Sequence, residues 1–206
     1  MVIESKHPLI KNKLSLLRDK ETSHKKFREL ANEITMLLAY EALKDVEVKE
    51  YDLETPICMT KGVEIAYDFV IVPILRAGVG MLDGITSLIP TARTGFVGAY
   101  RDPNTKKPVV YYSKFPENLV NPMAIIIDPM LATGGSMVAT VELLKRKGFE
   151  QIKIITIISA PEGIAEVQKH FPDIDIYTGN VDEYLNDHKY IVPGLGDAGD
   201  RLFGTK

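Results

Sequence analysis

A short segment in the middle of the chain combines an acidic residue with a loop of small and hydroxyl-bearing residues. The apolar run AIII at residues 124–127 ends at Asp128, and TGGS follows at residues 133–136. Consecutive backbone N–H groups at the start of a helix, next to glycines that let the backbone come close, form a cradle for a phosphate. The hydroxyls of Thr133 and Ser136 can add donors, and Asp128 is placed to accept hydrogen bonds from sugar hydroxyls. The segment therefore predicts a site for a ribose 5-phosphate.

For residues 133–136 alone, the alternative is an ordinary strand-to-helix turn with an N-cap serine. The complete arrangement of a buried strand, an acid and the loop is more specific for a phosphate site. It is not a P-loop, because no Gly-Lys-Ser/Thr follows and no lysine lies in the loop.

Residues 124–136 resemble the phosphoribosyl pyrophosphate signature of the type I phosphoribosyltransferases, in which a hydrophobic strand leads to two acidic residues and a Thr-Gly phosphate loop. Pro129 stands where the common pattern has its second acid, and this departure is similar to the uracil-specific branch of the family. The resemblance implies that phosphoribosyl pyrophosphate contacts Asp128, Pro129, Met130, Leu131, Ala132, Thr133, Gly134, Gly135 and Ser136.

Two arginines lie in segments that are also similar to the family. Arg76 follows an apolar run and precedes the residues AGVG; on the residues alone, the alternative is an arginine that pairs with a surface carboxylate. The resemblance implies that Arg76 clamps the leaving pyrophosphate, because a planar fork of donors suits adjacent phosphate oxygens. It implies the same target for Arg101, which opens a turn-rich excursion or hairpin flap, although a loop arginine is more often simply solvated.

The C-terminal segment carries a third resemblance. Residues 194–199 match Gly-x-Gly-x-x-Gly, but we expect no helix or βαβ unit after them, which excludes a dinucleotide fold. A flexible glycine-rich tail is one alternative. Residues 190–201 are instead similar to the uracil-binding region of the family, folded as a hood over the base. On that resemblance, backbone groups of Ile191, Gly196 and Ala198 read the base edge, and Asp197 contacts both the base region and the phosphoribosyl group.

The elements that must position these segments form an α/β pattern. After residue 67, short apolar runs alternate with glycine-bearing turns and helical segments, which is typical of a parallel sheet covered on both faces. We predict five parallel strands and three helices, with ligands at the carboxyl ends of the strands. The strands are expected at residues 69–72, 94–98, 124–127, 152–158 and 174–177, and the helices at 79–88, 136–147 and 161–170.

Residues 1–66 are expected to form an N-terminal helical arm and hairpin, and residues 67–206 the catalytic core and hood of one phosphoribosyltransferase-type domain. Apolar residues at three- and four-residue spacing predict a surface amphipathic helix over residues 21–44. Residues 46–51 and 57–65 predict a short hairpin. A length of 206 residues suits one substantial core.

The composition indicates which kinds of partner and which cellular compartment suit the protein. The net charge of −3 argues against a protein that mainly grips nucleic acid. Cys58 is the only cysteine, which suits a reducing cytoplasm. No apolar run approaches the roughly 18 residues of a membrane span, so we expect a cytoplasmic protein.

The resemblance as a whole implies an enzyme that transfers a phosphoribosyl group from phosphoribosyl pyrophosphate to uracil, with Asp128, Arg76 and Arg101 as its catalytic residues. It implies Mg²⁺ bound mainly through the substrate pyrophosphate, without direct protein ligands. We also expect a homo-oligomer, either dimer or tetramer. Two alternatives stay open: a phosphoribosyltransferase for another base, and an RNA-binding regulator of pyrimidine operons on the same fold.

Overall fold

The computed structural model describes residues 1–101 and 108–205, with the backbone alone described at Tyr100, Arg101 and Pro108. The described strands are β1 (Val2–Glu4), β2 (Val48–Glu54), β3 (Met59–Ile65), β4 (Asp68–Leu75), β5 (Arg93–Thr94), β6 (Phe96–Arg101), β7 (Pro108–Lys114), β8 (Pro122–Leu131), β9 (Gln151–Ser159), β10 (Asp175–Val181), β11 (Tyr184–Leu185) and β12 (Ile191–Val192). The helices are α1 (Pro8–Arg18), α2 (His24–Ala42), α3 (Leu82–Leu88), α4 (Gly135–Arg146), α5 (Pro161–His170) and α6 (Ala198–Phe203), with a 3₁₀ helix over Ala77–Met81.

A mixed sheet forms the centre of the described structure. Its order is β1-β10-β9-β8-β4-β6-β7, and β5 pairs with β4. The five predicted parallel strands are confirmed, with residues 94–98 divided between β5 and β6. The sheet is larger than predicted and not wholly parallel, because β1 adds one edge and β7 pairs antiparallel with β6 at the other. The predicted flap is therefore a hairpin whose strands extend the sheet.

Two layers of helices cover the sheet. Alternate residues of β8 point to opposite faces: Ile125 and Ile127 face α1, α2, α3 and α6, whereas Ala124 and Ile126 face α4 and α5. All four are fully buried, which explains why residues 123–127 of the strand are apolar at every position rather than at alternate ones.

The N-terminal helices belong to one of these layers. The predicted amphipathic helix is confirmed as α2, which begins at His24 because the hydroxyl of Ser23 accepts the N–H of Lys26 at 3.3 Å as an N-cap. Helix α1 was not predicted; its buried face has only three residues, among them Ile10 and Leu14.

The predicted hairpin is confirmed as β2 and β3, and almost all of its residues are exposed. None of the described helices is long and apolar enough to cross a membrane.

Candidate active site

Asp128 lies near the carboxyl end of β8. Its side chain is half-buried, and its Oδ1 accepts the backbone N–H of Met130 at 3.2 Å. Burial away from water raises the pKa of Asp128 to about 7, although the hydrogen bond from Met130 acts in the opposite direction. Near neutral pH the side chain is therefore present both as the acid and as the carboxylate.

A cavity of about 120 Å³ lies beside this carboxyl group. It is lined by Asp128, Met130, Leu131, Ala132, Thr133, Gly134, Ser136 and Met137. The structure thus brings together most of the residues that the phosphate-loop motif predicts. Of the predicted residues, Pro129 and Gly135 do not line this cavity. Met137 was not predicted; it lies in the first turn of α4, beyond the end of the motif.

Gly134 sets the geometry of the loop. It is the N-cap of α4 and has a left-handed backbone with φ of 81°, which favours glycine. A Cβ at this position would lie 2.8 Å from the carbonyl oxygen of Gly163 and 2.9 Å from the Cβ of Glu166, both in α5. The missing side chain therefore makes room for α5, and the role of this glycine in letting a phosphate approach the backbone stays a prediction.

The start of α4 provides the electrostatic character of the cavity. The first N–H groups of a helix have no partner within the helix and carry a partial positive charge. Gly134 and Ser136, at this helix start, line the cavity. The cavity therefore combines unpaired helix donors with the Asp128 carboxyl group.

Arg76 follows the neighbouring strand of the sheet. Pro73 of β4 pairs in parallel with Ile127 of β8, so both strands end at the same edge. Arg76 is exposed, precedes the 3₁₀ helix, and is joined to Leu75 by a cis peptide bond. A Cβ at Gly78 would lie 2.5 Å from the carbonyl oxygen of Ile127, so this glycine permits the 3₁₀ helix to pack directly on β8.

The C-terminal segment ends in a helix that we did not expect. Asp197 is the N-cap of α6, and its Oδ1 accepts the N–H of Asp200 at 2.9 Å. The helix has only six residues, which is too short for a clear periodic pattern. A dinucleotide site is still excluded, because β12 before the helix pairs antiparallel with β11 and forms no βαβ unit.

The same segment packs against the turn that carries Arg76. A Cβ at Gly199 would lie 3.2 Å from Oδ1 of Asp197 and 4.0 Å from Nη2 of Arg76. A Cβ at Gly80 of the 3₁₀ helix would lie 2.6 Å from the methyl carbons of Leu202 in α6. The structure therefore brings Arg76 and Asp197, which are far apart in sequence, to the same place.

The remaining predicted base contacts differ in exposure. Ile191 and Ala198 are buried, whereas Gly196 is exposed. Gly196 and Asp197 line a cavity of about 340 Å³ together with Tyr190, Asp200 and Arg201. Of the residues that the structure describes, Ile191 and Ala198 do not line it, so a role for their backbone groups stays a prediction.

Arg101 can be placed only by its backbone. It is the last residue of β6 and pairs with Pro108 of β7. Its side chain, like residues 102–107 of the predicted flap, lies outside what the structure describes. Its predicted contact with pyrophosphate therefore stays a prediction.

Comparison with known proteins gives consistent matches. A family model described as uracil phosphoribosyltransferase matches residues 4–205. The uracil phosphoribosyltransferase of Clostridioides difficile (strain 630) is 57% identical over 206 residues, covering 100% of this chain and 99% of the relative. That of Symbiobacterium thermophilum is 55% identical over 206 residues, with the same coverage.

The fold has matches among solved structures. A protein from Aquifex aeolicus superposes with a TM-score of 0.93 at 39% identity, covering 100% of this chain and 99% of that one. An adenine phosphoribosyltransferase from Trypanosoma brucei, at 14% identity and a TM-score of 0.58, covers 91% of this chain and 86% of its own. At that identity the second match shows a shared fold only.

Proposed function

Because this chain belongs to the uracil phosphoribosyltransferase family, we propose that it transfers the phosphoribosyl group of 5-phosphoribosyl 1-pyrophosphate to uracil, giving UMP and pyrophosphate. The observation that carries the proposal is the family match over residues 4–205, together with relatives more than half identical over the whole chain. The protein is accordingly an enzyme, a pentosyltransferase. The RNA-binding regulator and a transferase for another base receive no support from these relatives.

The carboxyl edge of the sheet suits this reaction. The bond between C1 of the ribose and the pyrophosphate oxygen breaks, both electrons leave with pyrophosphate, and N1 of uracil forms the new bond to C1 as its proton is released. The ribose passes through an oxocarbenium-like state, so catalysis consists mainly of positioning the reactants and stabilising charge. No described side chain is assigned as a general base for the uracil proton.

Five of the predicted side chains have a role in this proposal. The N–H groups at the start of α4 and the hydroxyls of Thr133 and Ser136 bind the 5-phosphate. The Asp128 carboxylate accepts hydrogen bonds from the ribose hydroxyls. Arg76 binds the pyrophosphate, supported by its exposed side chain at the adjacent strand end, and Arg101 joins it from the β6–β7 hairpin.

Mg²⁺ completes the proposal as an ion carried mainly by the pyrophosphate. The described residues contain no group of three or more His, Cys, Asp or Glu that could hold a metal ion. Mg²⁺ is often held by substrate phosphates and water, so the pyrophosphate would hold the ion without a direct protein ligand. When bound, the ion supplies neutralisation of the charge on the leaving group.

The C-terminal segment supplies the base site. Backbone groups of Ile191, Gly196 and Ala198, with Asp197 beside them, contact uracil. Fixed backbone donors and acceptors discriminate strongly, because a base with the inverted pattern leaves buried polar groups unpaired. Cytosine inverts the uracil pattern at N3 and at position 4, so this site excludes it.

Direct product identification tests the function. The purified protein is incubated with phosphoribosyl pyrophosphate, Mg²⁺ and uracil, cytosine, adenine, guanine or hypoxanthine in turn, and nucleotides are separated and identified by mass. We expect UMP from uracil and no nucleotide from cytosine. A nucleotide formed from another base but not from uracil would overturn the proposal, and comparable turnover of cytosine would overturn the base site.

The proposal extends to a cytoplasmic homo-oligomer, dimer or tetramer, in which the β2–β3 hairpin meets a second copy of the chain. A two-stranded hairpin is marginally stable alone in water, and this one exposes large apolar side chains that a second copy would cover: Val48, Tyr51, Met59, Val63 and Ile65. Symmetric homo-oligomers are the commonest assemblies. Light scattering after size-exclusion chromatography measures the molar mass of the assembly. The double variant Tyr51→Glu/Val63→Glu should have a lower molar mass than the wild type. A monomeric wild type would refute the oligomer.

A further inference from the structure

An ion pair is buried beneath the C-terminal segment. The side chain of Asp182, just after β10, has no exposed surface, and that of Arg18, the last residue of α1, is 22% exposed. Arg18 Nη1 donates to Oδ2 of Asp182 at 2.7 Å, and Nη2 donates to Oδ1 at 2.5 Å. The pair is therefore bidentate, the geometry in which arginine fixes a carboxylate most specifically.

Two further donors complete the surroundings of this carboxylate. Asn180 Nδ2 donates to Oδ1 at 2.7 Å, and the backbone N–H of Gly194 donates to Oδ2 at 2.9 Å. The amide oxygen of Asn180 in turn accepts Lys11 Nζ at 2.8 Å, which orients its amide nitrogen toward Asp182. Each carboxylate oxygen thus accepts two hydrogen bonds, and the ionised group can accept all four at once because both of its oxygens are acceptors only.

The cluster holds the C-terminal segment through Gly194. Arg18 Nη1 also donates to the carbonyl oxygen of Gly194 at 2.6 Å, so both backbone polar groups of this residue are bound, its N–H by Asp182 and its C=O by Arg18. Gly194 is buried and left-handed, with φ of 65°. Its conformation is therefore fixed from outside the segment.

A second arginine binds the next carbonyl group. Arg201 Nη1 donates to the carbonyl oxygen of Leu195 at 2.9 Å, and Nη2 donates to that of Asp19 at 2.5 Å. Its guanidinium group lies 4.5 Å from the centre of the Phe27 ring. Consecutive carbonyls immediately before Gly196 are thus held by arginines from α1 and α6.

We propose that Asp182 is a positioning residue for the base: through Arg18 and Gly194 it holds residues 191–198 in the shape that receives uracil. The inference rests on the proposed function, which assigns those residues to uracil. Asp182 is enclosed and does not touch the substrate. A fully satisfied buried network of this kind specifies one backbone geometry, and a buried ion pair is itself weak evidence for a purely stabilising role.

The test substitution is Asp182→Asn, which keeps the shape of the side chain. Its NH₂ group must replace one acceptor oxygen, and in either orientation it then faces two donors: Arg18 with Asn180, or Arg18 with the N–H of Gly194. We expect the KM for uracil to rise on the order of 10- to 100-fold. The KM for phosphoribosyl pyrophosphate should rise much less, because the elements after β4 and β8 carry most of that site and only Asp197 is shared.

Three control variants separate positioning from stability. Glu33→Gln breaks the 2.6 Å pair with Lys13 that links α1 to α2 without touching Gly194, and should leave both KM values unchanged. Ile174→Ala removes buried side-chain atoms just before β10, at the end away from Asp182. It should lower the melting temperature without changing the hydrogen bonds to Gly194, and so controls for any loss of stability in Asp182→Asn. Arg18→Lys keeps the charge but cannot make all three bonds, so its KM for uracil should lie between wild type and Asp182→Asn.

The outcomes are distinct. An unchanged KM for uracil in Asp182→Asn, or equal rises in both KM values, would overturn the inference, as would a rise in the KM for uracil of the same size in Ile174→Ala. If Asp182→Asn does not fold, Arg18→Lys takes its place with the same criterion. A wild-type protein that forms no UMP would instead overturn the proposed function, and the inference with it.

Discussion

At the scale of single residues, Asp128 links the site to pH. Its pKa is raised to about 7 by burial, so the carboxylate that accepts the ribose hydroxyls predominates only above that value. We predict that kcat/KM for phosphoribosyl pyrophosphate falls as the pH is lowered through about 7, and that Asp128→Asn is slower and loses this dependence. Steady-state kinetics from about pH 5.5 to about pH 8.5 measure both. If Asp128→Asn showed the same pH dependence of kcat/KM, that dependence would belong to another group.

The raised pKa also predicts an effect on stability. Since the folded-state pKa lies above the unfolded value of 3.8, the native state binds the extra proton, and stability is lost as the pH rises from about 4 to about 7. Asp128→Asn cannot ionise, so it should be more stable than wild type by roughly 2–4 kcal/mol at pH 8. The difference should vanish near pH 4. Urea unfolding at the two pH values measures it, and an equal effect at both would contradict the assigned pKa.

Arg76 should matter for activity and not for stability. Its side chain is exposed at the strand end, so Arg76→Ala removes little packing. A charge-assisted hydrogen bond to pyrophosphate predicts a loss in kcat/KM on the order of 10- to 150-fold. Arg93→Ala is the matched control, since Arg93 is also exposed but contacts the carbonyl oxygen of Glu117. Equal kcat/KM values for the two variants would show that Arg76 does not bind pyrophosphate.

At the scale of elements, the start of α4 depends on α5. Gly134→Ala should cost the left-handed backbone term, roughly 1–2 kcal/mol, and an added term for contact with Gly163. Gly148→Ala separates the two, because Gly148 is also left-handed, with φ of 88°, but a Cβ there meets nothing within 4 Å. We expect Gly134→Ala to be the less stable variant in urea unfolding and to bind phosphoribosyl pyrophosphate more weakly. Equal stabilities would show that α5 accommodates the added methyl group.

How far the elements could be predicted depended on where their signal lies. Strands such as β8 and β9 were predictable because burial on both faces makes most of their positions apolar, without a polar residue at every second place. Helix α6 was missed because it has six residues, and β1 because three residues gain their structure only by pairing with β10. The Asp128 loop was predictable because its residues are contiguous. The Arg18–Asp182 pair was not, because its members are 164 positions apart.

At the scale of the whole molecule, three distant segments meet at one edge of the sheet. The loop after β8 and the turn after β4 are neighbours because their strands pair in parallel, and the C-terminal segment reaches them through the packing of α6 on the 3₁₀ helix. The N-terminal helix α1 takes part as well, since Arg18 holds Gly194. Substrate binding should therefore stabilise segments from both ends of the chain.

A crystal structure with UMP and pyrophosphate bound would locate each part of the product in the protein. We predict the 5-phosphate within hydrogen-bond distance of backbone N–H groups of residues 132–136, the ribose beside Asp128, and the base against residues 191–198. The chain offers a clear alternative location, a larger cavity of about 610 Å³ lined in part by Lys114, Phe115 and Lys147. UMP bound in that cavity, or anywhere away from the Asp128 loop, would show that the loop after β8 is not the phosphate site.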